Sequence, residues 1–556
     1  MTDPIVAQLT APGAPFEMAE AVIDGRPAKV WKHTPATLPD LYDRARQFAD
    51  RTLAVFEGRR VSYVEALAEG AGLAHGLVER FGIAGSARVA LVMRNRPEWM
   101  TAFMGITAAG GSAVLVSPRG TAAELQAALD QTDCVLVIAD VARAKLLAEA
   151  GDTRPRIVVE DEPGAERYGA PFRAVVGDGA AAFPSVAMQP DDETVVMFTS
   201  GTTSRPKGAM LTHRSMLTGF MNIQFAMANV FAKVAQHYGP EVAAEMAKRQ
   251  PSSLVAYPMV HVSGCTASFL SNLGRGGKIV LVPKWNPQTA IDLIEQEKVA
   301  QFSGAPTMIW DVLRCDRTGR DLSSLVSVGI GGQATPLNLL AEMRAAFPNA
   351  VPGGGFGMTE TCGGGSTISG PDLVERPTSS GRPAPTVEMS VQDESGRILP
   401  SGEVGEVCIR GAMVMKGYCG DPAATAAAIR DGWMHTGDLG YFDADGFIHI
   451  VDRLKNIVIS GGENISCAEV ERVAMTHPDV EEAAGFGVVD DRLGEKLVLA
   501  VVPRPGKRLD EEALKAHIGA QLAIFKVPRQ IIEVERLPRN HMEKIDRNAL
   551  RRRFQS

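Results

Sequence analysis

The chain reads ARVALVM at residues 87–93, RPEWMTAFMGITAAG at 96–110, SAVLVS at 112–117, TAAELQAALDQ at 121–131 and DCVLVIAD at 133–140. The first, third and fifth of these segments are short apolar runs, which indicate buried strands. The second and fourth place their apolar residues at helical spacing. Buried strands that alternate with helices are typical of βαβ units. The stretch therefore predicts a parallel sheet covered by helices, the α/β fold class.

The same alternation extends on both sides of this stretch. A helix is predicted before it, at VSYVEALAEGAGLAHGLVER (61–80). The strand–helix alternation returns later in the chain, at SSLVAYP (252–258), KIVLV (278–282), PQTAIDLIEQEK (287–298) and LVSVGIGG (325–332). No G-x-G-x-x-G motif follows the first strand, so a dinucleotide-binding site has no support. Residues 222–250 predict an extended helix, for which packing on the core is favoured over binding a partner.

The pattern changes after about residue 380. Segments such as GEVCIRG (405–411) and DGWMHTGDLGYFDADGFIHIVD (431–452) combine short strands with D-G and D-x-x-G pairs, which are hairpin signals. From Arg453 onward the chain mixes helices with strands over a length sufficient for a small α+β domain. We therefore predict an N-terminal domain over residues 1–451 and a C-terminal domain over residues 452–556.

Composition and charge restrict the class of protein. A chain of 556 residues is too long for one compact core, and its 45% apolar and 22% charged residues are ordinary for a globular protein. The net charge of −8 argues against a nucleic-acid partner, which needs a basic face. Seven scattered cysteines, a proline-broken acidic N-terminus and the lack of a long apolar run predict a cytoplasmic protein without an integral membrane segment.

The segment FTSGTTSRPKGAML, residues 198–211, has the composition of a phosphate-binding loop. Its small and hydroxylated residues, 199–203, can offer hydroxyl and backbone N–H groups to phosphate oxygens, and Lys207 adds a cation. It is not a Walker A loop, because that motif needs Gly-Lys-Ser/Thr and the chain has Lys207 before Gly208. The sequence therefore predicts a different kind of phosphate chemistry.

Four further segments follow this loop: GGGFGMTET (353–361), HTGDLGYFD (435–443), DRLKNIVISGGENI (452–465) and LPRNHMEKIDR (537–547). Together and in this order, the five segments resemble the adenylate-forming superfamily of acyl-CoA synthetases, luciferases and peptide-synthetase adenylation domains. The resemblance covers essentially the whole chain. It implies a large N-terminal domain with parallel βαβ sheets and a distorted small β-barrel region, and a small mobile α+β C-terminal domain with its hinge near 452–455.

The resemblance also implies ATP (AMP), Mg²⁺ and coenzyme A as cofactor and co-substrates. The loop at residues 198–211 would bind the ATP phosphates. Phe356 would lie against the purine, and Asp438 would accept hydrogen bonds from the ribose hydroxyls. Glu360 would hold the metal through its oxygens, as hard cations prefer. The implied cofactor-binding set is Thr199, Ser200, Gly201, Thr202, Thr203, Lys207, Gly332, Gln333, Gly355, Phe356, Gly357, Asp438, Arg453, Lys455, Gly461 and Gly462.

The catalytic residues implied by the resemblance are Lys544, Glu360, Thr359 and His261. Lys544 would stabilise the negative charge that builds up when a carboxylate attacks the α-phosphate. Rotation of the C-terminal domain about Lys455 would then remove it for the second step. His261 would line the acyl pocket rather than act as a general base, because a carboxylate is already ionised at pH 7.

Small or apolar residues are predicted to form the wall of the substrate pocket, around a site for a carboxylic acid. They are His261, Val262, Gly264, Cys265, Gly332, Gln333, Gly355, Met358, Gly363 and Gly364. Their smallness leaves room for a bulky acid. A medium- or long-chain fatty acid is the first choice, closely followed by an aryl or alicyclic acid. The segment AYPMVHVSGCTASF (256–269) has no acidic residue that could hold an amine, which argues against an amino-acid substrate.

Three functions fit these features. The first is an acyl-CoA synthetase that uses ATP and then CoA, and the second is an acyl-AMP ligase that loads a carrier protein. The third is a pseudoenzyme that binds an adenylate without turnover. It is motivated by Ser204 and Glu543, which stand where the superfamily usually has glycine. The sequence leaves a homodimer open as the oligomeric state.

Overall fold

The computed structural model describes residues 3–159, 163–199, 206–239, 241, 248–331, 337–461, 463–490, 492–540 and 544–554. Its strands form several sheets, of which two large ones and one small one precede residue 454. A short antiparallel pair near the N-terminus, Met18–Ile23 with Arg26–Trp31, lies outside them.

The first large sheet contains the stretch between residues 87 and 140. Its order across the sheet is Gly417–Tyr418, Gly208–Thr212, Glu193–Phe198, Ser112–Leu115, Arg88–Val92, Leu136–Asp140, Arg156–Val159 and Ala170–Pro171. The six strands from Glu193–Phe198 to Ala170–Pro171 pair in parallel. The predicted parallel α/β sheet is therefore confirmed.

The second large sheet has the order Arg382–Pro383, Ser366–Ser369, Val351–Phe356, Ser327–Ile330, Gln301–Gly304, Ser252–Val255, Lys278–Leu281, Thr52–Phe56 and Arg59–Ser62. Its central strands are parallel and its outer pairs are antiparallel. Parallel strands end at the same edge of a sheet, and ligands bind in the crevice beyond those carboxyl ends. The strands that end at residues 255, 330 and 356 end at that edge.

Two smaller sheets follow along the chain; the first is antiparallel, and the second is antiparallel except that Gln530–Glu533 pairs in parallel with Gly494–Pro503. The first consists of Glu388–Gln392, Gly405–Arg410, Ile429–Arg430, Trp433–Phe442 and Ile448–Arg453, and it matches the predicted region of short strands and hairpins. The second belongs to the C-terminal region and consists of Ile457–Ser460, Glu463–Ser466, Val480–Asp490, Gly494–Pro503 and Gln530–Glu533. The C-terminal sheet has apolar clusters of its own, so it forms a separate small core.

Helices cover the sheets. In the described residues they are Pro4–Leu9, Leu38–Ala45, Tyr63–Phe81, Pro97–Ala108, Ala122–Gln131, Val141–Glu149, Phe172–Val176, His213–Tyr238, Val262–Gly264, Ser271–Arg275, Pro287–Gln296, Pro306–Arg314, Leu337–Ala346, Pro371–Glu375, Pro422–Ala428, Cys467–Ala474, Glu511–Gly519 and Arg547–Phe554. Shorter turns with other helical geometries are Arg46–Phe48, Ala165–Tyr168, Cys265–Leu270, Thr359–Thr361, Leu454–Asn456 and Ile524–Lys526. Among the described residues, no helix combines the length and hydrophobicity that a bilayer crossing requires.

The helix predicted at 222–250 begins earlier, at His213, and its regular part ends at Tyr238. It starts there because the Thr212 hydroxyl and the Ser215 side chain cap each other's backbone N–H groups. Its first turns are buried in the main core. The described part of the helix thus confirms the hypothesis of core packing, and residues 242–247 lie outside the described residues.

Two ion pairs connect the C-terminal region to the second large sheet's helices. The Arg314 guanidinium contacts Glu481 at 2.6 Å, and Arg504 contacts Glu342 at 3.4 Å. Both pairs are partly exposed to solvent. They hold the C-terminal region against helices Pro306–Arg314 and Leu337–Ala346 in this arrangement.

The close crossing of helices Tyr63–Phe81 and Pro97–Ala108 makes a stability prediction. A Cβ added at Gly105 would stand 2.7 Å from the fully buried Leu73 side chain. Overpacking of this kind costs about 1–3 kcal/mol. We expect Gly105→Val to lower the Tm by a few degrees in differential scanning calorimetry. Ala123→Val, at an exposed helical position, is the matched control; equal Tm values for the two variants would contradict the proposed packing.

Candidate active site

The segment after strand Ser252–Val255 forms one wall of the crevice at the sheet edge. The Tyr257 hydroxyl donates a hydrogen bond to the Gly331 carbonyl at 3.3 Å. Asn95 holds the same segment from the first sheet: its Nδ2 donates to the Tyr257 carbonyl at 2.7 Å, and its Oδ1 accepts from the Met259 N–H at 2.8 Å. His261 follows, half-buried, as the N-cap of Val262–Gly264. Asn95 was not predicted, because nothing in its local sequence indicates this contact.

Glu360 lies opposite, in the turn Thr359–Thr361 that follows strand Val351–Phe356, and it is only 6% exposed. The Tyr418 hydroxyl donates to its Oε1 at 2.8 Å, and the Met415 N–H donates to its carbonyl at 2.8 Å. Burial raises the pKa of the Glu360 carboxyl, and the Tyr418 hydrogen bond opposes that rise. A carboxylate oxygen is a ligand that Mg²⁺ prefers, so Glu360 fits the predicted role of a metal ligand.

Strands Glu193–Phe198 and Gly208–Thr212, which flank the predicted phosphate-binding loop, pair antiparallel; residues 200–205 of that loop lie outside the described residues. The Thr199 N–H donates to the Lys207 carbonyl at 2.9 Å and closes this hairpin. The Lys207 ammonium lies 4.9 Å from the centre of the Tyr418 ring, within the range of a cation–π interaction. Tyr418 thus contacts both a predicted phosphate-binding lysine and the predicted metal-binding carboxylate, although it was absent from the predicted set.

Asp438 and Arg453 are paired by strand register. They lie opposite each other on Trp433–Phe442 and Ile448–Arg453, and the Arg453 Nε donates to Asp438 Oδ1 at 2.9 Å. Asp438 is 3% exposed, and burial raises the pKa of its carboxyl while Arg453 opposes the rise. Its Oδ2 is buried and has no hydrogen-bond partner among the described residues. Such an acceptor fits a hydroxyl donor of a ligand, as the predicted ribose contact requires.

Three cations converge beside these carboxylates. Burial, together with the neighbouring Arg453, lowers the pKa of Lys455 to about 8. Burial and Arg453 also lower the pKa of Lys544, whereas Asp438 and Glu360 oppose that shift. The C-terminal Lys544 therefore lies within electrostatic range of Glu360 in the N-terminal region. Three cations held close together near two carboxylates favour a bound anion, and a nucleotide phosphate is such an anion.

Some of the predicted acyl-pocket residues are neighbours in the structure. A Cβ at Gly363 would stand 3.0 Å from the Val262 side chain, and one at Gly364 would stand 3.0 Å from Asn222 Nδ2. Met358 and Val262 are partly buried against the main core. Cys265 is fully buried, which raises the pKa of its thiol, so it supports the wall from behind.

The remaining predicted residues lie in different parts of the structure or outside the described residues. Phe356 is half-buried between exposed Gly355 and Gly357, next to Thr359, so the structure places them in the same crevice. Gly461 instead lies at an exposed turn, where its N–H donates to the Leu493 carbonyl at 2.8 Å. Outside the described residues are Ser200, Gly201, Thr202, Thr203, Ser204, Gly332, Gln333, Gly462 and Glu543.

Residues 41–419 match the AMP-binding enzyme family, and residues 469–544 match the AMP-binding enzyme C-terminal domain. The chain belongs to the AMP-binding enzyme family. Similar members are a feruloyl-CoA synthase from an Amycolatopsis species and a long-chain-fatty-acid–CoA ligase from Bacillus subtilis. The feruloyl-CoA synthase is 33% identical, over 92% of this chain and 97% of the synthase. The long-chain-fatty-acid–CoA ligase is 30% identical, over 92% of this chain and 93% of the ligase.

Among solved structures, an amide bond synthetase from Marinactinospora thermotolerans is similar, with a TM-score of 0.80 and 28% identity over 92% of this chain and 99% of that one. The AMP-binding family thus confirms the resemblance to adenylate-forming enzymes that the five sequence segments indicated. It also confirms the α/β class with a small C-terminal domain.

The low pKa of Lys455 predicts how AMP binding depends on pH. In the free protein Lys455 loses its proton near pH 8, whereas a bound phosphate stabilises the charged form and raises the pKa. Binding therefore takes up a proton above pH 8, and the affinity for AMP should fall as the pH rises, by at most about tenfold per pH unit. Calorimetry in two buffers of different ionisation enthalpy measures this uptake.

The control for this prediction is Lys455→Met, which removes the titrating group. It should bind AMP more weakly at pH 7.5, which is below the pKa, and show a flatter pH dependence. An unchanged pH slope in Lys455→Met would assign the proton uptake to another group.

The two contacts of Tyr418 make a second prediction. Tyr418→Phe keeps the ring beneath Lys207 and removes the hydrogen bond to Glu360. A lost hydrogen bond of about 1 kcal/mol corresponds to about a fivefold effect. We therefore expect about five times more Mg²⁺ for half-maximal ATP binding, measured by a nucleotide-binding titration. Tyr441→Phe, on the neighbouring sheet, is the control, and the same Mg²⁺ dependence in both variants would exclude an orienting role for Tyr418.

Proposed function

We propose that this protein is an AMP-forming carboxylic acid–CoA ligase. The observation that carries the proposal is the buried, unpartnered Oδ2 of Asp438 next to the cations Arg453, Lys455 and Lys544. This combination provides an acceptor for a sugar hydroxyl and a positive field for phosphates within one crevice. Support comes from two similar family members, which are named as a CoA synthase and a CoA ligase.

In the first step, a carboxylate oxygen of the acid attacks the α-phosphorus of ATP, the new O–P bond forms, and pyrophosphate leaves. Lys544 stabilises the charge that develops on the α-phosphate oxygens, and Lys207 holds the departing phosphates. Mg²⁺, when bound, neutralises phosphate charge, and Glu360 is the residue that would hold it. His261 and the neighbouring pocket wall orient the carboxylate.

In the second step, the CoA sulfur attacks the acyl carbon, the C–S bond forms, and the bond from that carbon to the AMP oxygen breaks. The thiol proton is lost to solvent. Lys544 has no role in this step, and we infer that the C-terminal domain, 452–556, turns about the hinge at 452–455 to carry it away. This rotation requires that the Arg314–Glu481 and Arg504–Glu342 pairs break.

The acid in this proposal is bulky. Beside Val262 the predicted wall consists of Gly363 and Gly364, which carry no side chain that would narrow the predicted pocket. A feruloyl-CoA synthase supports an aryl acid, and a long-chain-fatty-acid–CoA ligase supports the fatty acid that was the first choice from the sequence. Aryl acids and fatty acids are therefore both included in the test.

A second candidate concerns the acceptor. The similarity to an amide bond synthetase favours an amine as an alternative nucleophile to the CoA thiol, with the same first step. Both candidates are separated by product: a thioester with CoA or an amide with an amine. A carrier-protein thiol is the third acceptor to be tested in parallel.

The test is a screen of acids of varied chain length and ring content. Pyrophosphate release reports the first step, and mass spectrometry of the product reports the acceptor. We expect acid-dependent pyrophosphate release followed by acyl-CoA formation. Nucleotide binding without pyrophosphate release from every acid would indicate a pseudoenzyme instead.

Lys544→Ala tests whether Lys544 acts in the first step only. Loss of its cation should reduce pyrophosphate release by about two to three orders of magnitude, because it removes a transition-state contact. Thioester formation from supplied acyl-AMP should remain. Lys507→Ala, an exposed cation of the same domain, is the control. Equal loss of both half-reactions in Lys544→Ala would contradict the two-arrangement scheme.

A further inference from the structure

Asn222 lies on helix His213–Tyr238 and is 4% exposed. Its Oδ1 accepts two hydrogen bonds, from Trp31 Nε1 at 2.8 Å and from the Thr386 hydroxyl at 2.8 Å. Trp31 is itself held by a stacked contact with Phe225, whose ring centre lies 5.2 Å away. The amide is therefore fixed in one orientation by groups from two distant parts of the chain.

The identity of the two amide atoms follows from these partners. An indole N–H only donates, so the Asn222 atom that faces Trp31 is the oxygen. The nitrogen, with its two N–H donors, consequently points the other way. Nδ2 is buried and has no hydrogen-bond partner among the described residues. A buried donor without a partner carries a free-energy cost, and such groups in native structures commonly meet a water or a ligand.

Nδ2 lies beside Gly364, a residue of the predicted acyl pocket. The nearest atom that a Cβ at Gly364 would meet is Asn222 Nδ2, at 3.0 Å, so a larger residue at this position would crowd the donor. The adjacent Gly363 lies against Val262, the residue after His261. The donor thus lies at the wall formed by Gly363 and Gly364, with Val262 and His261 on the side where the carboxylate is activated.

We propose that Asn222 is a specificity-determining residue that donates a hydrogen bond to an oxygen atom on the part of the acid remote from its carboxylate. The substrate is accordingly a bulky acid that carries a hydroxyl, ether or carbonyl oxygen, and not a plain hydrocarbon acid. This inference rests on the proposed function. A site that holds a fixed polar group rejects an analogue that leaves the group unpaired far more strongly than it rejects a change in apolar size.

The experiment uses pairs of acids in which a CH₂ group replaces one ether oxygen. The first pair is 4-methoxycinnamic acid and 4-ethylcinnamic acid, and the second is 3-methoxycinnamic acid and 3-ethylcinnamic acid. The third pair is 8-methoxyoctanoic acid and decanoic acid. In each pair the shape is kept and only the acceptor changes. With the wild-type enzyme, pyrophosphate release should favour the oxygen-containing member of at least one pair by tenfold or more in kcat/KM.

Two variants assign this preference to Asn222. Asn222→Leu should reduce the ratio to about one while the CH₂ acid keeps a kcat/KM within a few-fold of wild type. Thr386→Val removes a hydrogen bond to Oδ1 but leaves Trp31 and Nδ2 in place, so it should keep the preference. Affinities of the matched acyl sulfamoyl adenosines, which do not react, should show the same pattern.

The outcomes are distinct. Equal wild-type rates within every pair overturn the assignment without any variant, even if Asn222→Leu does not fold. A preference that survives in Asn222→Leu also overturns it. No pyrophosphate release from any acid overturns the proposed function instead.

Discussion

The site depends on a group of charges that the fold keeps partly away from water. Asp438 and Glu360 are buried carboxylates, and Arg453, Lys455 and Lys544 are the cations beside them. Burial disfavours the charged forms of both carboxyls and both lysines, and the lysines also feel the like charge of Arg453. A bound anion would favour the charged lysines, which is the electrostatic basis of the proposed phosphate binding.

The sheets decide which of these groups meet. The register of Trp433–Phe442 on Ile448–Arg453 places Asp438 opposite Arg453, and a one-residue slip of either strand would direct its side chain to the other face. Likewise Ala209 pairs with Tyr418 at the edge of the first large sheet, which brings the Tyr418 ring beneath Lys207 and its hydroxyl to Glu360. Strand pairing therefore connects the phosphate-binding hairpin to the carboxylate turn of the other sheet.

The parts of this arrangement that local sequence encodes could be predicted. The strand–helix alternation from 87 to 140 predicts the parallel sheet, because apolar periodicity is a local property. Glu360, Asp438 and Lys544 lie in segments with recognisable order and spacing. Asn95, Tyr418 and Asn222 could not be found in this way, because their roles depend on partners far away in the chain. Asn222 is fixed by Trp31 and Thr386, which are 191 and 164 residues distant.

The same balance of charges explains how the proposed rotation could be coupled to chemistry. The Arg314–Glu481 and Arg504–Glu342 pairs are partly exposed, and such pairs contribute only about 0–1 kcal/mol each. They are too weak to hold the C-terminal domain in place against a larger effect. Arg453 repels Lys544, whereas Asp438 and Glu360 attract it, and in the proposed scheme ATP phosphates would add to that attraction while they are bound. Departure of pyrophosphate would remove part of it. In this proposal, the step that completes acyl-AMP formation would thereby weaken the contact that keeps Lys544 in the site.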